Sequence, residues 1–202
     1  IDGGRVRIGF NDAIGGNGVE NFGTIDITTN GRLFVRNVGD MGINNFGTIQ
    51  SDGTIRIGTN IGSQNIGDIG IDNRETFTST GTLEVEYTAS FSIWNSADMT
   101  LGGTVNLSES DLSGIRTNPS TTRDLNDGIV MTISDMNQHG IQSSGGTIEW
   151  MGNNSTVSID NVGADGITTD NASTFLVKGD LFIGTQGTIG QRSIENRGPF
   201  TI

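Results

Sequence analysis

The 202-residue chain holds 32 glycines and is only 32% hydrophobic, which excludes ordinary globular packing and suits a fold with a thin core. Its 23 acidic and 11 basic residues leave a formal charge of −12, which repels nucleic acid and anionic membrane surfaces. Cysteine is absent, excluding disulfides and thiolate metal sites, and no run approaches the ~20 apolar residues of a membrane span.

In chain order, the first element alternates Val6 and Ile8 with Arg5 and Arg7, the pattern of a strand with one buried face. Next comes Gly18-Val19-Glu20-Asn21, a short element of small residue, aliphatic residue, any residue and Asn. A second alternating strand follows at Ile25/Ile27, and Leu33/Val35 then repeats the first. The cycle continues to the far end. The aliphatic member of the short element returns at Ile43, Ile71, Ile93, Ile115, Ile141, Ile167 and Ile194, at intervals of 22 to 28 residues. The strand after it returns at Ile49, Phe77, Met99/Leu101, Leu125, Ile148/Trp150, Phe175/Val177 and Phe200/Ile202. The third returns at Ile55/Ile57, Leu83/Val85, Val105/Leu107, Met131/Ile133, Val157/Ile159 and Leu181/Ile183.

Strands that recur in fixed order, one winding apart, pair only in parallel at ~4.8 Å. The sequence therefore predicts an all-β, parallel β-helix solenoid of about eight coils, three strands per coil, over residues 1–202 as a single segment. Right-handed winding follows from the handedness of parallel crossovers, and the rod is roughly 40 Å long. A β-sandwich also offers short alternating strands, but has no need for three strand classes to hold phase. One column is polar: Asn21, Asn45, Asn73, Asn95, Thr117, Ser143, Thr169 and Asn196 are expected to stack as a structural ladder. Corners at Asn30-Gly31, Asp52-Gly53 and Gly102-Gly103 are expected to need positive φ.

Coil five departs from the pattern: Pro119 cannot donate to a ladder, so residues 118–123 are expected to loop outward. Longer corners fall at 58–69 and 184–192, where a solenoid presents variable surface. The chain opens at Ile1 without Met, as a mature fragment or excised segment would. Its first strand is third-class and its last second-class, so a second copy set directly behind it would keep the period. The expectation is a segment or repeat unit continued head-to-tail, covalently or by stacking on itself, unless the chain was trimmed there.

Catalysis on such a fold needs clustered carboxylates with basic partners on adjacent coils. The acids of the second strand's outward column, Asp26 and Glu149, lie far apart, and His139 stands alone at a corner, so no enzyme is expected. On the third strand's outward column, Arg7, Phe34 and Arg56 follow one another, an aromatic flanked by guanidinium groups that would serve as a platform for sugar or protein. A solvated strand face is the plainer reading of the same column. Threonine rows there read as β-propensity ladders, interrupted by charge. Gly15-Gly16-Asn17-Gly18-Val19-Glu20 shares features with a calcium nonapeptide but occurs once; no cofactor is expected beyond Ca²⁺ at acidic corners.

The grammar Gly-Ile-x-Asn…Gly-Thr-Ile-x-Ile, in residues 42–57 and 18–27, resembles that of the secreted right-handed parallel β-helix surface proteins and adhesins of bacteria. The resemblance implies an extracellular or cell-surface rod or filament that is structural or adhesive. Pectate-lyase-like enzymes share the fold, but their calcium-binding aspartates and catalytic arginine have no assignable equivalents here. A carbohydrate-binding or polysaccharide-degrading β-helix is the alternative reading, and a trimeric phage or toxin spike a third.

Overall fold

The computed structural model describes residues 1–58, 65–118, 122–125, 128–150 and 154–201. Among these, the chain winds into three parallel sheets of eight strands each, so about seven complete turns separate the first strand of a sheet from its last. Sheet A runs from Arg5–Ile8 to Asp180–Ile183, sheet B from Val19–Asn21 to Ile194–Asn196, and sheet C from Thr24–Ile27 to Phe200–Thr201. Every strand pairs with its counterpart one coil away.

The registers are those the periodicity predicts: Val6 sits beside Leu33, Val19 beside Ile43, and Ile25 beside Ile49. Alternation then sends one set of side chains inward. Ile43, Ile71 and Ile93 are fully buried, and the apolar columns merge into one core running along the stack. Among the described residues, the partly buried members of that core lie in the first and last coils: Ile1, Ile8, Ile14, Val19 and Ile25 at one edge, Leu181, Ile183, Ile189, Ile194 and Phe200 at the other.

The polar column keeps the expected register and is bonded in three runs, Asn21 to Asn95, Thr117 to Ser143, and Thr169 to Asn196. Asn21 Nδ2 donates to Asn45 Oδ1 at 2.7 Å, Asn45 to Asn73 at 2.8 Å, and Asn73 to Asn95 at 2.7 Å. The same amides also donate to the carbonyls of Thr48, Thr76 and Asp98, so buried backbone is satisfied along with side chain. Hydroxyls take over beyond Asn95: Thr117 donates to Ser143, and Thr169 donates to Asn196 Oδ1 at 2.6 Å. Asn73 is fully buried and bonded on both sides. Asn73→Ala is therefore expected to cost about 2–4 kcal/mol, since it removes the donor to Asn95 Oδ1 and to the Glu75 carbonyl and the acceptor of Asn45 Nδ2; chemical denaturation checks this.

Two local expectations need correction. Of the predicted positive-φ corners only Gly103 (62°) has that conformation; Gly31 and Gly53 are there because a Cβ would strike backbone oxygens at 2.1 and 2.3 Å. Left-handed backbone instead falls at Asn37, two residues past its sheet A strand, and at Tyr87, Glu109, Asp135 and Asn161, each the last residue but one of a seven-residue sheet A strand, where the register skips one pair and resumes at the next residue. Thr122 and Arg123, expected in an outward loop, belong to a sheet C strand, Thr122–Leu125, because parallel pairing on both sides outweighs the neighbouring proline. Pro119, the middle of the 58–69 corner and Ile202 lie outside the described residues. The 184–192 corner is partly drawn in, with Ile189 bridging to Val162.

Candidate functional site

Sheet B supplies the face with the richest chemistry. Each of its strands is three residues long, inward aliphatic, one outward residue, inward ladder residue, so a single side chain per coil points away from the core at its centre. In register these are Glu20, Asn44, Asp72, Trp94, Arg116, Gln142, Thr168 and Glu195. The residue after the ladder position adds Phe22, Phe46 and Arg74.

Rings and guanidinium groups alternate along this face. Phe22, 73% exposed, stacks on Phe46 with centroids 5.2 Å apart. Arg74 lies over Phe46 at 5.0 Å and sends two hydrogen bonds, of 2.9 and 2.7 Å, into Asp72 Oδ2. Phe91 meets Trp94 edge-on at 5.3 Å, and Arg116 covers both rings at 5.2 and 5.1 Å. A cleft of about 490 Å³ opens between Arg74–Asp72 and Trp94. Burial, with Asp40 and Asp72 nearby, raises the Asp68 carboxyl at its rim above the usual range, against a lowering bond from Ser90.

A second, polar groove of about 590 Å³ lies on coils six to eight. There Arg192 grips buried Asp165 through Nε at 2.9 Å and Nη2 at 3.3 Å, and Glu195 accepts from both Arg192 and Arg197. His139 Nδ1 accepts the Asp165 backbone N–H at 3.4 Å, which leaves its proton on Nε2. Burial lowers the His139 pKa although the Asp165 and Glu195 carboxylates pull it upward. The unfolded chain therefore takes up that proton first, so the stability due to neutral His139 is complete above about pH 6.5 and drains away as pH falls below it. Melting curves between about pH 7.5 and 5.5 are expected to show a larger loss in this protein than in His139→Gln.

Sheet A brings Arg7, Phe34 and Arg56 into adjacent register positions, as the sequence predicts. They do not form the expected three-part platform. The guanidinium over Phe34 is that of Arg5, at 5.3 Å, whereas Arg7 lies over Phe10 and Arg56 is paired with Glu84. A long arginine side chain reaches past its register neighbour, and Glu84, next to Arg56 in register, captures it. On sheet C, Asp124 takes the register position beside Glu149, an acid absent from the column read from the sequence; Glu149 Oε1 accepts a bond from Lys178 at 3.2 Å. Among the described residues, no three His, Asp or Glu side chains converge as metal ligands, and no helix is long and apolar enough to cross a membrane.

No family model matches the chain, and no curated protein or solved structure matches it.

Proposed function

We propose that the chain is a structural and adhesive segment of an extracellular or cell-surface rod, continued at both edges by further parallel coils from the same polypeptide or a second copy. The observation that carries this reading is that, among the described residues, the half-buried core residues fall in the two edge coils, in matching columns. Set one copy behind another in register, and Ile194 meets Val19, Phe200 meets Ile25, and Leu181 meets Val6, which is 40% exposed. The outward columns match as well. Asp180 faces Arg5, Phe182 faces Arg7, and Arg197 falls beside the exposed Phe22. The Asn21, Asn45 and Asn73 amides donate forward while Asn21 and Asn73 also bond a carbonyl in their own coil, so Asn196 Nδ2, bonded to the Gly198 carbonyl at 2.6 Å, has a second hydrogen to offer the Asn21 Oδ1 of the following copy. Glu195 meets Glu20 in the same junction, with Arg192 and Arg197 on Glu195 to offset the repulsion.

Placement on the cell surface rests on the likeness of the repeat grammar to surface β-helices. Adhesion without turnover is supported by the carboxylates on and beside sheet B: Asp72, Asp165 and Glu195 are each engaged by a guanidinium in a structural ion pair instead of facing one another across a substrate site. A tandem chain, with a second copy fused directly after residue 202, tests the continuation. It is expected to form one rod of doubled length in X-ray scattering and to melt above the single copy. Two independent bodies melting at an unchanged temperature would overturn it.

A further inference from the structure

We propose that the cleft between Asp72 and Trp94 is a subsite for a neutral pyranose unit of a glycan chain. The assignment rests on the adhesive half of the reading above and needs no edge-to-edge contact. Trp94 is held by Arg116 over its ring and by Phe91 in a T-shaped contact, and in that position it lines the cleft together with Asp72. An indole fixed in this way offers a flat apolar wall to the C–H face of a sugar ring at little cost in side-chain entropy.

The opposite wall is polar and built in advance. Asp72 has a side chain only 5% exposed, and both bonds from Arg74 end on Oδ2, so Oδ1 is not engaged by that guanidinium. Arg74 is itself steadied by Phe46 behind it. The carboxylate and the guanidinium that holds it present an acceptor beside a donor, and a buried polar group such as Asp72 rejects ligands that fail to meet it. Ser96 and Asn118 add hydroxyl and amide groups at the rim, over a floor that includes Ile69. The volume of about 490 Å³ lies within the range of small-ligand sites.

Charge chooses among sugars. Asp68 and Asp72 line the cleft against the single cation Arg74, with Asp40 acting on Asp68 from nearby, so a uronate or sulfated sugar would add repulsion. A neutral hexose or pentose meets the same hydrogen-bonding groups without it.

The chain contains two tryptophans, so the test reads the indole N–H signals by NMR during titration of the single-copy protein with neutral oligosaccharides (glucan, mannan, galactan, xylan) and acidic ones (polygalacturonate, alginate). One indole signal is expected to shift with at least one neutral series, at an affinity on the order of millimolar, and Trp94→Ala is expected to weaken binding at least tenfold. Should Trp94→Ala fail to fold, Ser96→Phe fills the cleft from its rim and is expected to abolish the shift. Absence of any neutral ligand, a preference for the acidic series, or undiminished binding in Ser96→Phe would each overturn the assignment. None of these outcomes depends on the tandem experiment, so the two readings fail separately.

Discussion

Gly81→Val is expected to lower the melting temperature by roughly 6–12 °C or more, corresponding to at least about 3 kcal/mol. Gly81 sits at the corner where sheet C hands over to sheet A, and its φ is not positive. The constraint is contact between coils: a Cβ there would lie 2.1 Å from the Gly53 carbonyl oxygen and 2.5 Å from that of Asp52. Gly53 stands in the same relation to Gly31, and Gly103 to Gly81, so each corner rests on the one before it. A Cβ has no rotamer by which to escape, and the atoms it strikes are backbone fixed by pairing: Thr82 N donates to Gly53 O at 2.9 Å. Relief therefore requires separating coils, which opens the ladders on either side. Gly23→Ala is the control, because its Cβ meets nothing within 4 Å and its φ is unremarkable. It is expected to change stability by less than about 1 kcal/mol. Thermal melts followed by circular dichroism compare the two; equal melting temperatures would refute the corner stacking.

The inward half of this molecule was legible in its sequence because stacking forces equivalent residues to be alike. An inward position in sheet B accepts an aliphatic side chain in every coil, so Ile43, Ile71, Ile93 and Ile115 announce both the strand and its register. The amide ladder is legible for the same reason, since an Asn is best satisfied by another Asn one coil away. Outward positions carry no such demand. The aromatic and guanidinium face of sheet B lay in the repeat position that accepts any residue, and that variability was itself the signal for a surface freed from packing. Sheet A's pattern of Arg7, Phe34 and Arg56 gave correct neighbours but the wrong contacts, because register fixes Cα positions whereas long side chains choose among several partners. The corner glycines misled in another way: composition shows that a Cβ is excluded without showing whether torsion or a neighbouring coil excludes it. Coil five hid Asp124, since its extra residues interrupt counting by period.

Ile141→Asp is expected to cost about 3–5 kcal/mol, or roughly 6–20 °C in melting temperature. Ile141 is 1% exposed and lies between Ile115 and Ile167, themselves 3% and 0% exposed, so a carboxylate there would face aliphatic side chains on both neighbouring rungs. Burial without a cation raises the folded-state pKa of such a group above its unfolded value of about 3.9. The sign of the pH dependence follows. The folded variant binds its proton at higher pH than the unfolded chain, so its deficit is largest at neutral pH and shrinks as pH falls through the raised pKa. Ile141→Asn, equally polar but unable to titrate, should show a deficit with no such recovery. Gln142→Asp, one residue on and facing outward beside Arg116, should leave the melting temperature nearly unchanged. A column that truly points inward at 141 and outward at 142 requires this contrast between adjacent residues, and similar melting behaviour in the two aspartate variants would displace the whole of sheet B by one position.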